Sequence, residues 1–306
     1  MNKIITQVKR EVWESSGIFY KAPLLLFAII LVFSAISLYS LHAEHLGDVN
    51  FHWSNKWHSE GEQANATEGH QSVQEMAADK LIGVQYIIYF IFGVICLFNT
   101  IIYSLGALIG DRRDRSILFF KSLPLSEWQV VITKLLLCAF TLPLIYWLCA
   151  FLTVLAYSGG AVAFGTSTLD LSGSELWQQM RVLPSAAAGF VKLWFTGLWA
   201  LPLISALLLV SAWAKRSPFG ILVAVFVGIW LFEKWFLGTG YLVETLAAYL
   251  SGLYVGDHIS FVAGDGQAGL RGIGAFVVRP GLYLGLAVSC VFVYGAVWLR
   301  DRRFEI

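Results

Sequence analysis

The sequence predicts an all-α integral membrane protein with six transmembrane helices, and three observations carry that prediction. Of 306 residues, 58% are apolar and 13% charged, whereas soluble domains run near a quarter charged. The chain holds 22 Phe, 12 Trp and 12 Tyr, more apolar surface than a soluble core can use but well suited to lipid-facing helices. Apolar runs near the length of a bilayer crossing recur at about 22–41, 82–109, 135–157, 193–213, 219–237 and 280–299. With no internal repeat and no hydrophilic stretch large enough for a separate unit, residues 1–306 read as one transmembrane domain.

Ahead of the first run, residues 1–21 predict an interfacial helix. Ile4, Ile5, Val8 and Val12 share one helical face, Lys3, Lys9 and Arg10 point away from it, and Trp13 sits near its end. A basic start followed by an apolar run also describes a cleaved signal peptide. Here the run is close to the crossing length and further spans follow, so an uncleaved helix is expected. Residues 42–80 are polar and read as an outer loop.

The second run is long enough to tilt or protrude. It ends in Gly106-x-x-x-Gly110, a spacing that lets helices approach closely, and the sixth run repeats it as Gly281-x-x-x-Gly285. These four glycines are the candidate helix-packing residues. Pro143 predicts a kink in the third span, and Pro202 lies inside the fourth. Residues 158–190 read as a Gly/Ser-rich connection, and 214–218 as a tight turn. Residues 241–255 are mostly apolar but too short to cross. Leu242, Leu246, Tyr249, Leu250 and Leu253 suit a surface-lying or re-entrant helix on the outer side before span six; the alternative is a short extension of span five followed by loop.

Six spans put both termini on one side, and the basic residues choose it. Lys3, Lys9, Arg10, Lys21, Arg112, Arg113, Arg115, Lys121, Lys134, Lys215, Arg216, Arg300, Arg302 and Arg303 lie on the face of the termini; only Lys56, Lys80, Arg181, Lys192, Lys234, Arg271 and Arg279 lie opposite. The positive-inside rule then makes both termini cytoplasmic.

Apart from Glu233 and Lys234, near the outer end of the fifth and within snorkelling reach, the apolar runs contain no Asp, Glu, Lys, Arg or His. Ion-driven carriers hold their ion with such groups at membrane depth, so a secondary transporter is disfavoured, as is an intramembrane hydrolase. Cys96, Cys138, Cys149 and Cys290 read as small apolar residues. His42, His45, His52, His58 and His70 are irregularly spaced and read as a solvated loop rather than a metal site. Gly264-Asp-Gly-Gln-Ala-Gly269 lacks the strand–helix setting of a dinucleotide loop, and no phosphate-binding G-x-x-x-x-G-K-[ST] stretch exists. The chain is therefore expected to be no enzyme, with no catalytic residue, cofactor or metal of its own and no nucleic-acid partner; any ATP would be bound by another subunit.

The largest polar, basic interruption on the cytoplasmic face is Gly110–Leu135. It carries Arg112, Arg113, Arg115, Lys121 and Lys134, an apolar run Ile117–Phe120, a break at Pro124, and Ser126-Glu-Trp-Gln129, which reads as a capping box starting a new helix. Physically this predicts a short helix at about 113–122, a turn, and a helix entering span three. It either anchors on anionic lipid or offers a knob to a cytosolic partner.

Asp111-Arg-Arg-Asp-Arg-Ser-Ile-Leu-Phe-Phe-Lys-Ser-Leu-Pro-Leu-Ser-Glu-Trp128 resembles the loop between spans two and three of type-2 ATP-binding-cassette (ABC) permeases. There a charged segment, a hydrophobic stretch and S-L-P-[LV]-S precede the third helix. The resemblance extends over nearly the whole length, through the amphipathic N-terminal helix, six spans and a short outer helix before the last span; the outer loop 42–80 matches no element of that family. It implies a cytoplasmic coupling helix at 111–126 seated on a cytosolic ABC ATPase dimer, a second permease, same or homologous, and a surrounding lipid membrane. Arg112, Arg113 and Arg115 would pair with acids on the ATPase, Phe119 and Phe120 would fill its groove, and Ile117, Pro124 and Ser126 belong to the same coupling segment. The expectation is a permease subunit of an ATP-driven exporter in a bacterial inner membrane, moving a hydrophobic or amphipathic substrate. The rivals are a polytopic accessory or immunity protein and, less favoured, a channel or secondary transporter.

Overall fold

The computed structural model describes residues 3–46, 66–113, 126–168, 172–214, 217–238, 240–251 and 278–302. Among them the chain is helical apart from short turns, with no strand. Among the described residues six helices are long and apolar enough to cross a membrane, by length and composition. In chain order the elements are α1 (Lys3–Glu14), α2 (Ala22–Leu46), α3 (Ala66–Arg113), α4 (Glu127–Leu136), α5 (Leu142–Thr168), α6 (Gly173–Met180), α7 (Val182–Trp213), α8 (Pro218–Phe232), α9 (Tyr241–Ser251) and α10 (Pro280–Arg302). Widened, π-type turns at Gly17–Lys21, Leu137–Thr141 and Glu233–Leu237 lead into α2, join α4 to α5, and extend α8.

Two stretches read as loop from the sequence are largely helical among their described residues. The 48-residue α3 begins at Ala66, well before the second apolar run, because Gln, Glu, Met and Ala at 74–78 are good helix formers whatever their polarity. The 158–190 connection is taken up by the end of α5, by α6 and by the start of α7. Burial of Ala161, Leu176, Met180, Val182 and Ala186 outweighs the poor helix propensity of its glycines and serines. The chain breaks at Arg181, whose φ of 46° is a left-handed conformation that ends α6.

The chain forms two compact units. One comprises Ala22–Gly93 and Trp147–Ala186. Its interior holds Ile88, Phe92 and Val154, with Gln85 Nε2 donating to Ser158 Oγ at 3.4 Å among buried side chains. The other comprises Met1–Lys21, Val94–Tyr146 and Ala187–Ile306, and the candidate site described below lies within it. The Phe19 ring meets Tyr103 edge-on at 5.2 Å, and Val131, Cys138, Leu142, Leu208 and Ala296 are fully buried. No residue of α8 is buried.

The proline in the third span acts one turn before itself. Pro143 has no N–H for the carbonyl of Ala139 and its ring crowds that group; the helix widens into the turn Leu137–Thr141. Gly197 of α7 lies against the same carbonyl, where an added Cβ would stand 2.6 Å from the Ala139 oxygen. Glycine is required there because backbone meets backbone.

Candidate functional site: a buried charge joint

Four helix ends that are distant in sequence converge on a cluster of charges. Lys134, on the face of α4 that also buries Val130 and Val131, is 2% exposed. Its ammonium donates to Asp111 Oδ1 at 2.9 Å, to the Ala107 carbonyl at 2.8 Å and to Glu11 Oε2 at 3.1 Å. An ammonium has three hydrogens, so each has an oxygen. Glu11 of α1 also accepts from Tyr103 Oη at 3.2 Å. Asp111, at the end of α3, uses its other oxygen to accept from Arg300 Nη1 at 2.9 Å, and Arg300 Nε pairs with Glu127 on the first turn of α4. Trp128 and Tyr294 set α4 beside α10 with ring centroids 6.1 Å apart.

Burial decides the electrostatics. Desolvation raises the Glu11 carboxyl above its ordinary value, and the attraction of Lys134 opposes that shift. Moving α3 against α4 would separate charges in a low-dielectric interior. Such pairs add little net stability but are costly to break singly. The arrangement therefore makes a rigid joint.

A second tie joins α7 to α3. Ser211 Oγ donates to the Leu105 carbonyl at 2.7 Å and accepts from the N–H groups of Leu108 and Ile109 at 3.1 and 3.2 Å. One hydroxyl is thus inserted into the backbone ladder of α3.

At the other end of α10, Trp199 of α7 and Tyr249 of α9 stack with centroids 4.7 Å apart. They exchange two hydrogen bonds: Trp199 Nε1 donates to the Tyr249 carbonyl at 3.0 Å, and Tyr249 Oη to the Trp199 carbonyl at 2.7 Å.

The residues singled out from sequence fare differently. Ser126 caps α4 in a full capping box with Gln129. Arg112 and Arg113 occupy the last positions of α3; their side chains, and all of Arg115, Ile117, Phe119, Phe120 and Pro124, lie outside the described residues. So does the helix expected at 113–122 beyond its first residue. An added Cβ would meet Trp199 at 3.3 Å from Gly281, and Tyr249 Oη at 2.7 Å and Pro202 at 3.4 Å from Gly285. At Gly106 and Gly110 it would meet nothing within 4 Å among the described residues. On α1 the buried residues include Gln7, Glu11 and Val12, so the inward face is more polar than the stripe read from sequence. The Gln7 amide has no hydrogen-bond partner among the described residues. Cys96, Cys138 and Cys149 are buried, but Cys290 is exposed.

Glu11, Asp111, Glu127, Lys134 and Arg300 were not recognised as a cluster from the sequence. A signal was present in α10: its buried positions Leu282, Gly285, Ser289, Val293 and Ala296 follow a helical period whose next member is Arg300.

Among the described residues no group of three His, Cys, Asp or Glu side chains could hold a metal ion. Comparison of the chain with protein-family models, with curated proteins and with solved structures finds no match to any of them.

Proposed function

We propose that this chain is the membrane-spanning permease subunit of a type-2 ABC transporter, exporting a hydrophobic or amphipathic substrate and powered by a separate cytosolic ATPase. The observation that carries the reading is the bracketing of the motif-like segment. Asp111 stands just before it and Glu127 just after it, and Arg300 holds both. A push on the 112–126 segment would reach α3 and α4 through a base closed by ion pairs, as a coupling helix requires.

Two further points support it. The end of α3, the start of α4, α1 and the end of α10 meet at one cluster, with the end of α7 tied in through Ser211. These are the chain ends that six alternating crossings would place on one face, the face whose basic residues make it cytoplasmic by the positive-inside rule. Tyr249 meets Trp199 about 18 Å along α7 from Ser211, less than the roughly 30 Å hydrocarbon thickness. That depth favours α9 as re-entrant. In this reading α1 lies at the inner interface of a bacterial plasma membrane, and a second permease completes the pathway.

The test is co-purification with a nucleotide-binding subunit encoded by a neighbouring gene. Arg113→Glu with Phe119→Ala is expected to abolish association and permease-stimulated ATP hydrolysis while the permease still folds. Undiminished association and stimulation in that variant would sink the reading and favour an accessory membrane protein.

A further inference from the structure

We propose that α10 is a connecting rod that couples the charge joint at Arg300 to α9 at Tyr249. Both attachments lie on one face of one helix. Leu282, Gly285, Ser289, Val293, Ala296 and Arg300 are its buried stripe, about 27 Å from first to last at the helical rise. At one end Arg300 grips Asp111 and Glu127. At the other, Gly281 and Gly285 lie against the stacked Trp199–Tyr249 pair and Pro202.

The stripe is built to transmit displacement. Gly285, Ser289 and Ala296 have no long side chain to change rotamer, and Gly295 faces Leu209 of α7, where an added Cβ would stand 3.2 Å away. A shift or rotation of α10 at Arg300 is carried along a close-packed stripe in which three of the six side chains are short. It arrives at Gly285, directly under the Tyr249 hydroxyl that holds α9 to the Trp199 carbonyl.

Thermodynamic linkage makes the coupling reciprocal, which sets the experiment. Amide hydrogen exchange is measured by mass spectrometry on the full chain in lipid nanodiscs, for wild type, Arg300→Gln and Tyr249→Phe. Arg300→Gln is expected to accelerate exchange in α9, at the far end of the rod, by roughly five-fold or more, the lower range of site-to-site coupling. Tyr249→Phe, which keeps the ring and removes only the hydroxyl, is expected to accelerate exchange in the first turns of α4 in the same way. If each variant loosens only the end that carries it, the proposal is overturned. Should Arg300→Gln fail to fold, seen as uniform acceleration that includes α6 in the unit of Ala22–Gly93 and Trp147–Ala186, the Tyr249→Phe arm decides alone.

Discussion

Arg300 stands 189 positions after Asp111 in the chain, and its Nη1 donates to Asp111 Oδ2 over 2.9 Å. On its other oxygen Asp111 accepts from Lys134 at the same distance. One carboxylate therefore holds two cations from two helices, and its loss should cost more than either pair alone.

That geometry predicts non-additivity. Lys134→Met leaves Glu11 and Asp111 buried without their common cation and is expected to destabilise the protein by about 3–5 kcal/mol. Asp111→Asn should cost a similar amount. The double variant is expected to fall well short of the sum, because the two residues share one interaction. Thermal unfolding of all four proteins in one detergent measures it; strict additivity would show that the contacts do not matter energetically.

A pH dependence follows from Glu11. Burial raises its folded-state pKa above the ordinary 4.5, so between that value and the raised one the folded state holds a proton that the unfolded chain has lost. Its favourable contribution is complete below about pH 4.5 and is lost as pH rises through the folded pKa. The stability advantage of wild type over Glu11→Gln is therefore expected to shrink on going from acid toward neutral pH. A difference that grows with pH would mean that the attraction of Lys134 outweighs desolvation.

The glycines separate by what faces them. Gly197→Ala would put a methyl 2.6 Å from the Ala139 carbonyl, and Gly285→Ala one 2.7 Å from Tyr249 Oη. Each is expected to cost about 1–3 kcal/mol, the former more, since backbone yields less readily than a phenol. Gly106→Ala meets nothing within 4 Å among the described residues and is expected to be neutral or to gain up to about 1 kcal/mol of helix propensity. Denaturant titration of the three variants gives the order.

Ser211→Ala removes the hydroxyl that serves the Leu105 carbonyl and the Leu108 and Ile109 amides. Leaving buried backbone groups without a partner is expected to cost about 1–3 kcal/mol, with exchange at Leu108 and Ile109 rising selectively. Equal rates in wild type and variant would show that the α3 ladder closes without it.

Local features were legible in the residues. The Ser126–Gln129 capping box is a four-residue affair and is present in the structure. Pro143 acts on its own preceding turn, and the structure widens that turn at Leu137–Thr141. Glycine spacing was less informative, since Gly106/Gly110 and Gly281/Gly285 look alike in sequence but, among the described residues, only the second pair has a neighbour within 4 Å of an added Cβ. Spacing states that a helix offers a groove, not that anything fills it. The same limit applies to α1. Its apolar stripe reads as the face of an interfacial helix, yet the helix also buries Gln7 and Glu11, and Glu11 does so against Lys134, 123 residues away.

The sequence by itself determined the solvent of this protein and the number of apolar helices it carries. Those depend on composition and on runs of neighbouring residues, and lipid rewards them without reference to the rest of the chain. Only the tertiary structure decided which charges at the ends of those helices meet. A lysine or an arginine beside an apolar run reads the same whether it faces water, lipid headgroups or a carboxylate. What distinguishes them is removal from water by other helices, and that is a property of packing between segments far apart in the chain.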